Sequence, residues 1–173
     1  MKKVYLSLGS NLGNREQMLQ DAINAMNTSD LRAVRVSSVY ETEPMDVRNQ
    51  PWFLNVVVEI ETELFPLVLL SRLNKIERQL GRKRVMVKGP RSIDIDILLF
   101  EKFIIDTDVL TIPHPRMTER RFVLEPMAEL APELRHPGNR RTMRELLAGV
   151  SGQQVKRVEI SLMPSGVSSA EDS

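Results

Sequence analysis

Asp94 and Asp96 stand two residues apart in Ile93-Asp94-Ile95-Asp96-Ile97-Leu98-Leu99-Phe100, a run otherwise composed of β-forming apolar residues. Side chains alternate across a strand, so both acids point to one face while Ile93, Ile95 and Ile97 point to the other. Two residues of strand rise put their Cα atoms roughly 6.5 Å apart, close enough for both carboxylates to converge on one or two divalent cations. Asp is disfavoured in strands and paired carboxylates repel, so a bound cation explains what the strand alone does not. Directly upstream, Arg82, Lys83, Arg84, Lys88 and Arg91 crowd one segment. A basic run is usually no more than a solvated face. Beside two carboxylates it takes on another meaning: a polyphosphate bridging metal on one side and guanidinium forks on the other.

Further groups could complete such a site. His114, in Ile112-Pro113-His114-Pro115-Arg116, and Arg120 are phosphate donors distant in sequence from the first cluster. A lone histidine between prolines is more often a structural hydrogen-bonder. Asn55 opens an apolar strand, and its amide offers both the donor and the acceptor that the edge of a planar heterocycle needs. Phe53 and Phe122 could stack on such a ring, although core packing is the simpler role for either one alone. The segment Leu8-Gly9-Ser10-Asn11-Leu12-Gly13-Asn14 sits where phosphate loops occur but lacks the ending of a P-loop, so a tight turn or a backbone lining is expected.

Composition narrows the chemistry. The 173 residues suffice for one domain with a sizeable core, and 24 Lys plus Arg against 23 Asp plus Glu leave no global field for nucleic acid or acidic membrane. There is no cysteine and there are only two histidines, which excludes disulfides, thiolate nucleophiles and multi-histidine or sulfur-ligated metal sites. Oxygen-ligated hard-metal chemistry remains, and magnesium fits it. The N-terminal apolar run is too short for a signal core or a membrane span, so a cytoplasmic protein is expected.

The elements that must position these residues follow from periodicity. Strands are expected at 4–8, 34–40, 53–62 and 93–100. One helix is capped by Asn14, and another starts at Pro66 with the buried stripe Leu69, Leu73, Ile76 and Leu80. The order βαββαβ predicts an α+β, ferredoxin-like core: an antiparallel sheet with helices packed on it. C-terminal additions follow: a hairpin over 104–112, helices over 121–131 and 142–148, an edge strand over 155–162, and a flexible tail over 164–173.

The motifs Leu8-Gly9-Ser10-Asn11-Leu12-Gly13, Tyr40-Glu41-Thr42-Glu43-Pro44, Phe53-Leu54-Asn55, Gly89-Pro90-Arg91-Ser92-Ile93-Asp94-Ile95-Asp96 and Pro113-His114 resemble, in order, those of the hydroxymethyl-dihydropterin pyrophosphokinases of folate biosynthesis. The resemblance runs from about Val4 to about Pro132. It implies a single catalytic domain over 1–163, acting as a monomer on ATP and a reduced pterin, with no nucleic acid or membrane partner. The enzyme would move the pyrophosphoryl group of ATP to the pterin hydroxymethyl oxygen and release AMP. It further implies that Asp94 and Asp96 hold two Mg ions and that Arg82 and Arg91 are catalytic, stabilising the transferring group. Asn74, Glu77, Arg84, Arg91, Ile97, Thr111, His114 and Arg120 would bind ATP, and Thr42, Met45, Phe53, Asn55 and Phe122 the pterin. Phe53 stands where family members often carry tyrosine, Lys88 and Pro115 where an aromatic is often found, and Val109 where arginine is frequent. Two rival classes share parts of the pattern. A metal-dependent nucleotidyltransferase would release pyrophosphate instead of AMP, and an RNA-binding module would need aromatic and basic residues where Asp94 and Asp96 stand.

Overall fold

In a computed structural model, residues 1–43, 51–81 and 93–164 are described. An antiparallel sheet is built on four strands: β1 (Lys2–Ser10), β3 (Val39–Thr42), β4 (Phe53–Thr62) and β5 (Asp94–Phe100). Between β1 and β3 come α1 (Arg15–Asn24) and β2 (Leu31–Val36), and α2 (Pro66–Gly81) joins β4 to β5. The strand order is β5-β1-β4-β3-β8, where β8 (Val155–Val158) is a late addition and β2 also pairs with β4. The hairpin β6 (Ile105–Asp106) and β7 (Thr111–Ile112), and the helices α3 (Arg121–Leu130) and α4 (Met143–Ala148), complete the elements used below.

Each central element has a local cause. Asn14 caps α1 by accepting the Gln17 N–H at 3.1 Å. Leu69, Leu73, Ile76 and Leu80 form the buried stripe of α2, as their spacing requires. These helices cover one sheet face over a core that includes Leu6, Leu8, Val56, Val58, Ile95 and Ile97. On the other face α3 and α4 pack over Tyr5, Val57, Leu98 and Leu99. The Thr142 hydroxyl accepts the Glu145 N–H while the Glu145 carboxylate accepts the Thr142 N–H, a reciprocal cap that starts α4.

Two departures from simple alternation matter. The strand expected over 34–40 is two strands, β2 and β3, broken at Ser37 and Ser38. There the Ser37 hydroxyl accepts the Val57 N–H at 2.9 Å, and the Glu129 carboxylate of α3 accepts both the N–H and the hydroxyl of Ser38. Side-chain partners thus replace ladder bonds and let the chain bend. The second departure is in β5, where Leu6 pairs with Ile97 but Tyr5 with Leu99, so Leu98 is an extra residue. This bulge turns Leu99 to the α3 side and Phe100 to the α2 side, the reverse of strict alternation.

A charged group is also built into the α3 face. Tyr5 donates to Glu59 Oε1 at 2.9 Å, and Arg35 donates to the same oxygen from Nη2 at 2.7 Å and Nε at 3.1 Å. Burial, reinforced by Glu59, pushes the Tyr5 hydroxyl up to about 12. Glu59 is only 5 % exposed, so Arg35 and Tyr5 are what make its burial tolerable.

Between α3 and α4, His136 Nδ1 accepts the N–H groups of Gly138 and Asn139 at 3.0 and 3.2 Å. Burial lowers its pKa below the ordinary 6.5, so the folded chain binds the proton less readily than the unfolded chain. His136 therefore contributes stability that is present above pH 6.5 and lost as pH falls through its lowered folded value. Thermal unfolding followed by circular dichroism from pH 8 to 5 is expected to show a decline in Tm below about 6.5. In His136→Ala that decline should be shallower; an identical slope would remove His136 from the linkage.

Candidate active site

Register places the candidate residues. Central strand β1 pairs Gly9 with Asn55 on one side and with Asp94 on the other, and pairs Ser7 with Val57 and Asp96. Directly paired residues share a face, so Asp94, Asp96, Ser7, Gly9 and Asn55 lie together. Thr42 and Phe53 pair across β3 and β4 and extend the same row, with Tyr40 opposite Asn55. This is the face that α3 and α4 cover over Tyr5 and Leu99. Toward Gly9 and Asn55 it turns polar.

Gly9 is where a side chain could not fit. A Cβ there would lie 2.7 Å from Asn55 Oδ1 and 3.6 Å from the Phe53 ring. The amide of Asn55 therefore crosses the floor that glycine leaves open. Its Nδ2 donates to the Thr42 hydroxyl at 2.6 Å, and Asn55 and Thr42 are buried, at 4 % and 2 % exposure. The bond to Thr42 fixes the amide's orientation, so one N–H and Oδ1 can be presented together to a planar ligand. Phe53 is half-buried beside them.

Asp96 is exposed and Asp94 half-buried. Opposite them β1 offers only the small residues Ser7 and Gly9, with no cation or bulky side chain at those register positions. Two hard oxygen donors on one open face fit magnesium, which retains water and needs few protein ligands. Among the described residues there is no group of three or more His, Cys, Asp or Glu that could hold a metal ion.

Strand β5 ends the sheet, and α2 and β7, which carry several of the expected nucleotide residues, pack against it. Glu77, on α2, accepts the Ile95 N–H at 2.7 Å; Asn74 is exposed one turn earlier on the same helix. Thr111 is on β7, which packs against β5. The His114 N–H donates to Leu98 O at 2.9 Å and holds the imidazole where it feels the Asp96 carboxylate. Burial, aided by Arg120 and Arg116, lowers the His114 pKa despite Asp96. His114 Nδ1 accepts the Arg116 N–H at 3.2 Å, so the neutral ring carries its proton on Nε2. The Ile97 side chain is 5 % exposed in the core on the α2 side, the face opposite the two acids. Arg120 lies with its guanidinium carbon 5.5 Å from the centre of the Phe122 ring, a cation–π arrangement at the start of α3. Arg82, Arg84, Arg91 and Met45 lie outside the described residues, as do Lys83 and Lys88.

Residues 5–132 match the family model described as 7,8-dihydro-6-hydroxymethylpterin-pyrophosphokinase (HPPK). The chain belongs to this family. A 2-amino-4-hydroxy-6-hydroxymethyldihydropteridine pyrophosphokinase of Bacillus subtilis is 46% identical over 131 residues, 75% of this chain and 78% of that protein. The folic acid synthesis protein fol1 of Schizosaccharomyces pombe is 42% identical over 90% of this chain, yet the chain spans only 21% of that protein's length. In shape, a crystal structure of Plasmodium falciparum HPPK-DHPS wild type with pteroate superposes with a TM-score of 0.71 at 18% identity, covering 85% of this chain and 44% of that one. At that identity the likeness speaks for the fold alone. No helix among the described residues is long and apolar enough to cross a membrane.

Some of the site was missed by reasoning from sequence. The close approach of Asn55 to Gly9 could have been found only by pairing β1 with β4 in register, since the glycine segment by itself reads as a turn. Arg15, at the start of α1, donates to Glu41 Oε2 at 3.0 Å and to Trp52 O at 2.8 Å, tying β3 to the entry of β4. No periodicity marks that contact. Gly9→Ala is expected to push the Asn55 amide off Thr42 and lower stability by about 1–3 kcal/mol, as other overpacked sites do. Urea unfolding measures the loss; an unchanged midpoint would mean that the amide moves aside without cost.

Proposed function

We propose that this chain transfers the pyrophosphoryl group of ATP to the hydroxymethyl oxygen of 6-hydroxymethyl-7,8-dihydropterin, releasing AMP, as a step in folate biosynthesis. The observation that carries the proposal is the shared face of Asp94, Asp96 and the Asn55–Thr42 pair around Gly9, in a chain of the HPPK family. It sets metal-type carboxylates beside a polar slot for a heterocycle. The strand order β5-β1-β4, with β2 and β3 both paired to the other side of β4, supports a ferredoxin-like reading of the core.

In this reading the pterin edge bonds to the Asn55 amide and its ring lies against Phe53 and Phe122, with Thr42 holding Asn55 in place. ATP lies along the outer edge of β5, against Asn74, Glu77, Ile97, Thr111, His114 and Arg120. The Nε2–H of neutral His114 is a donor for a phosphate oxygen. Asp94 and Asp96 hold two magnesium ions, and Arg82, Arg84 and Arg91 add positive charge from the basic segment. Magnesium, when bound there, neutralises charge on the phosphate oxygens and makes the attacking hydroxyl more acidic.

Attack forms a bond from the hydroxymethyl oxygen to the β-phosphorus and breaks the bond between that phosphorus and the oxygen bridging to AMP. The protein's share is alignment and charge neutralisation, which suffice for phosphoryl chemistry. No side chain is needed as general base, and the hydroxyl proton passes to solvent.

Phosphorus NMR of a mixture of protein, ATP, magnesium and the reduced pterin is expected to show AMP and a pyrophosphorylated pterin. Free pyrophosphate with a nucleotidyl adduct would instead identify a nucleotidyltransferase. Asp96→Ala should lower turnover by a factor on the order of 10^3 or more. Its Tm should be unchanged or slightly higher, because the repulsion with Asp94 is removed. Near-normal turnover at saturating magnesium would take Asp96 out of the metal site.

A further inference from the structure

Helix α3 begins without a cap of its own. The residue before it is Arg120, whose side chain makes no capping bond, and the second residue of the helix is Phe122. The first N–H groups of a helix have no partner within it and need one from elsewhere. The Phe122 N–H finds it 31 residues away, donating to Gln153 Oε1 at 3.3 Å. Gln153 is itself buried, at 9 % exposure. From its other end Nε2 donates to the Glu43 carbonyl at 3.5 Å, and the next residue, Gln154, donates its N–H to Glu43 Oε1 at 3.0 Å. One amide therefore joins the start of α3 to the end of β3, one residue beyond Thr42. The pairing of β8 with β3, with Val155 opposite Thr42, carries Gln153 to that position.

We infer that Gln153 is a positioning residue for the pterin: it sets the distance between Phe122 and the Thr42–Asn55 pair on the opposite wall of the slot. The inference rests on the proposed function, which makes Phe122 and Asn55 pterin contacts. Gln153 lies beyond the residues matched by the family model, which end at 132. The geometry nonetheless gives it a place in the wall. Loss of its hydrogen bonds leaves the Phe122 N–H without its partner and lets α3 shift relative to β3. The ring-stacking distance then varies, while the nucleotide edge at β5, on the far side of the sheet order, stays as it was.

Gln153→Met is the informative variant, since it keeps the volume and removes both hydrogen bonds. Gln153→Ala removes the volume as well. Steady-state kinetics should give a KM for the reduced pterin raised about three- to tenfold in both variants, the size expected for a lost hydrogen bond. The KM for ATP and kcat should stay within about twofold. Calorimetry with 6-hydroxymethyl-7,8-dihydropterin, a nonhydrolysable ATP analogue and magnesium should show the same selective loss of pterin affinity. A Gln153→Met protein with wild-type pterin KM, or one in which both KM values rise together, overturns the inference. Wild-type protein that does not bind the pterin at all overturns the functional reading and the inference with it.

Discussion

The register of β1 is the constraint on which the rest depends. This strand is hydrogen-bonded on both sides, to β4 and to β5, so shifting it by one residue would turn every side chain to the wrong face of two ladders at once. Its apolar residues Val4, Leu6 and Leu8 are fully buried against α1 and α2 and hold that register. With it fixed, Gly9 comes between Asn55 and Asp94. A residue with no side chain thus separates a buried amide from a metal-type carboxylate and leaves open the floor that each would need.

The face carrying these groups is divided along the strands. Near Tyr5, Val57 and Leu99 it is apolar and roofed by α3 and α4; near Gly9 and Asn55 it is polar. The Leu98 bulge makes the division sharp. Before it, Asp94 and Asp96 occupy this face while the isoleucines serve the other core, and after it Leu99 joins the apolar half. A regular strand would have kept Leu99 with the isoleucines. The bulge thus lets one short strand contribute acids and then core to the same side.

Much of this could be read from the sequence, and the parts that could not share a cause. Helices α1 and α2 follow from the Asn14 cap and the 69-73-76-80 stripe, because those signals are local. The alternation of Ile93 to Ile97 correctly put both acids on one face. The break at Ser37 and Ser38 was not legible, because it is made by Glu129, far along the chain, which takes the Ser38 groups. Likewise Asn55 stood out as a polar residue in an apolar strand, but its partner Thr42 became apparent only when β3 lay beside β4. Arg15, Glu59 and Gln153 act through partners 24 to 110 positions distant, and no window of periodicity spans such separations.

The outer border of β5 has a consequence unrelated to catalysis. A terminal strand normally displays free backbone donors and acceptors that can template growth by another molecule's chain. Here the Glu77 carboxylate covers the amide of Ile95, and the His114 amide covers the carbonyl of Leu98. An intruding strand would have to displace a charged group at one point and a turn of the main chain at the other. At these two points the border of β5 is thereby made a poor seed for intermolecular β-stacking, by contacts placed there for other reasons.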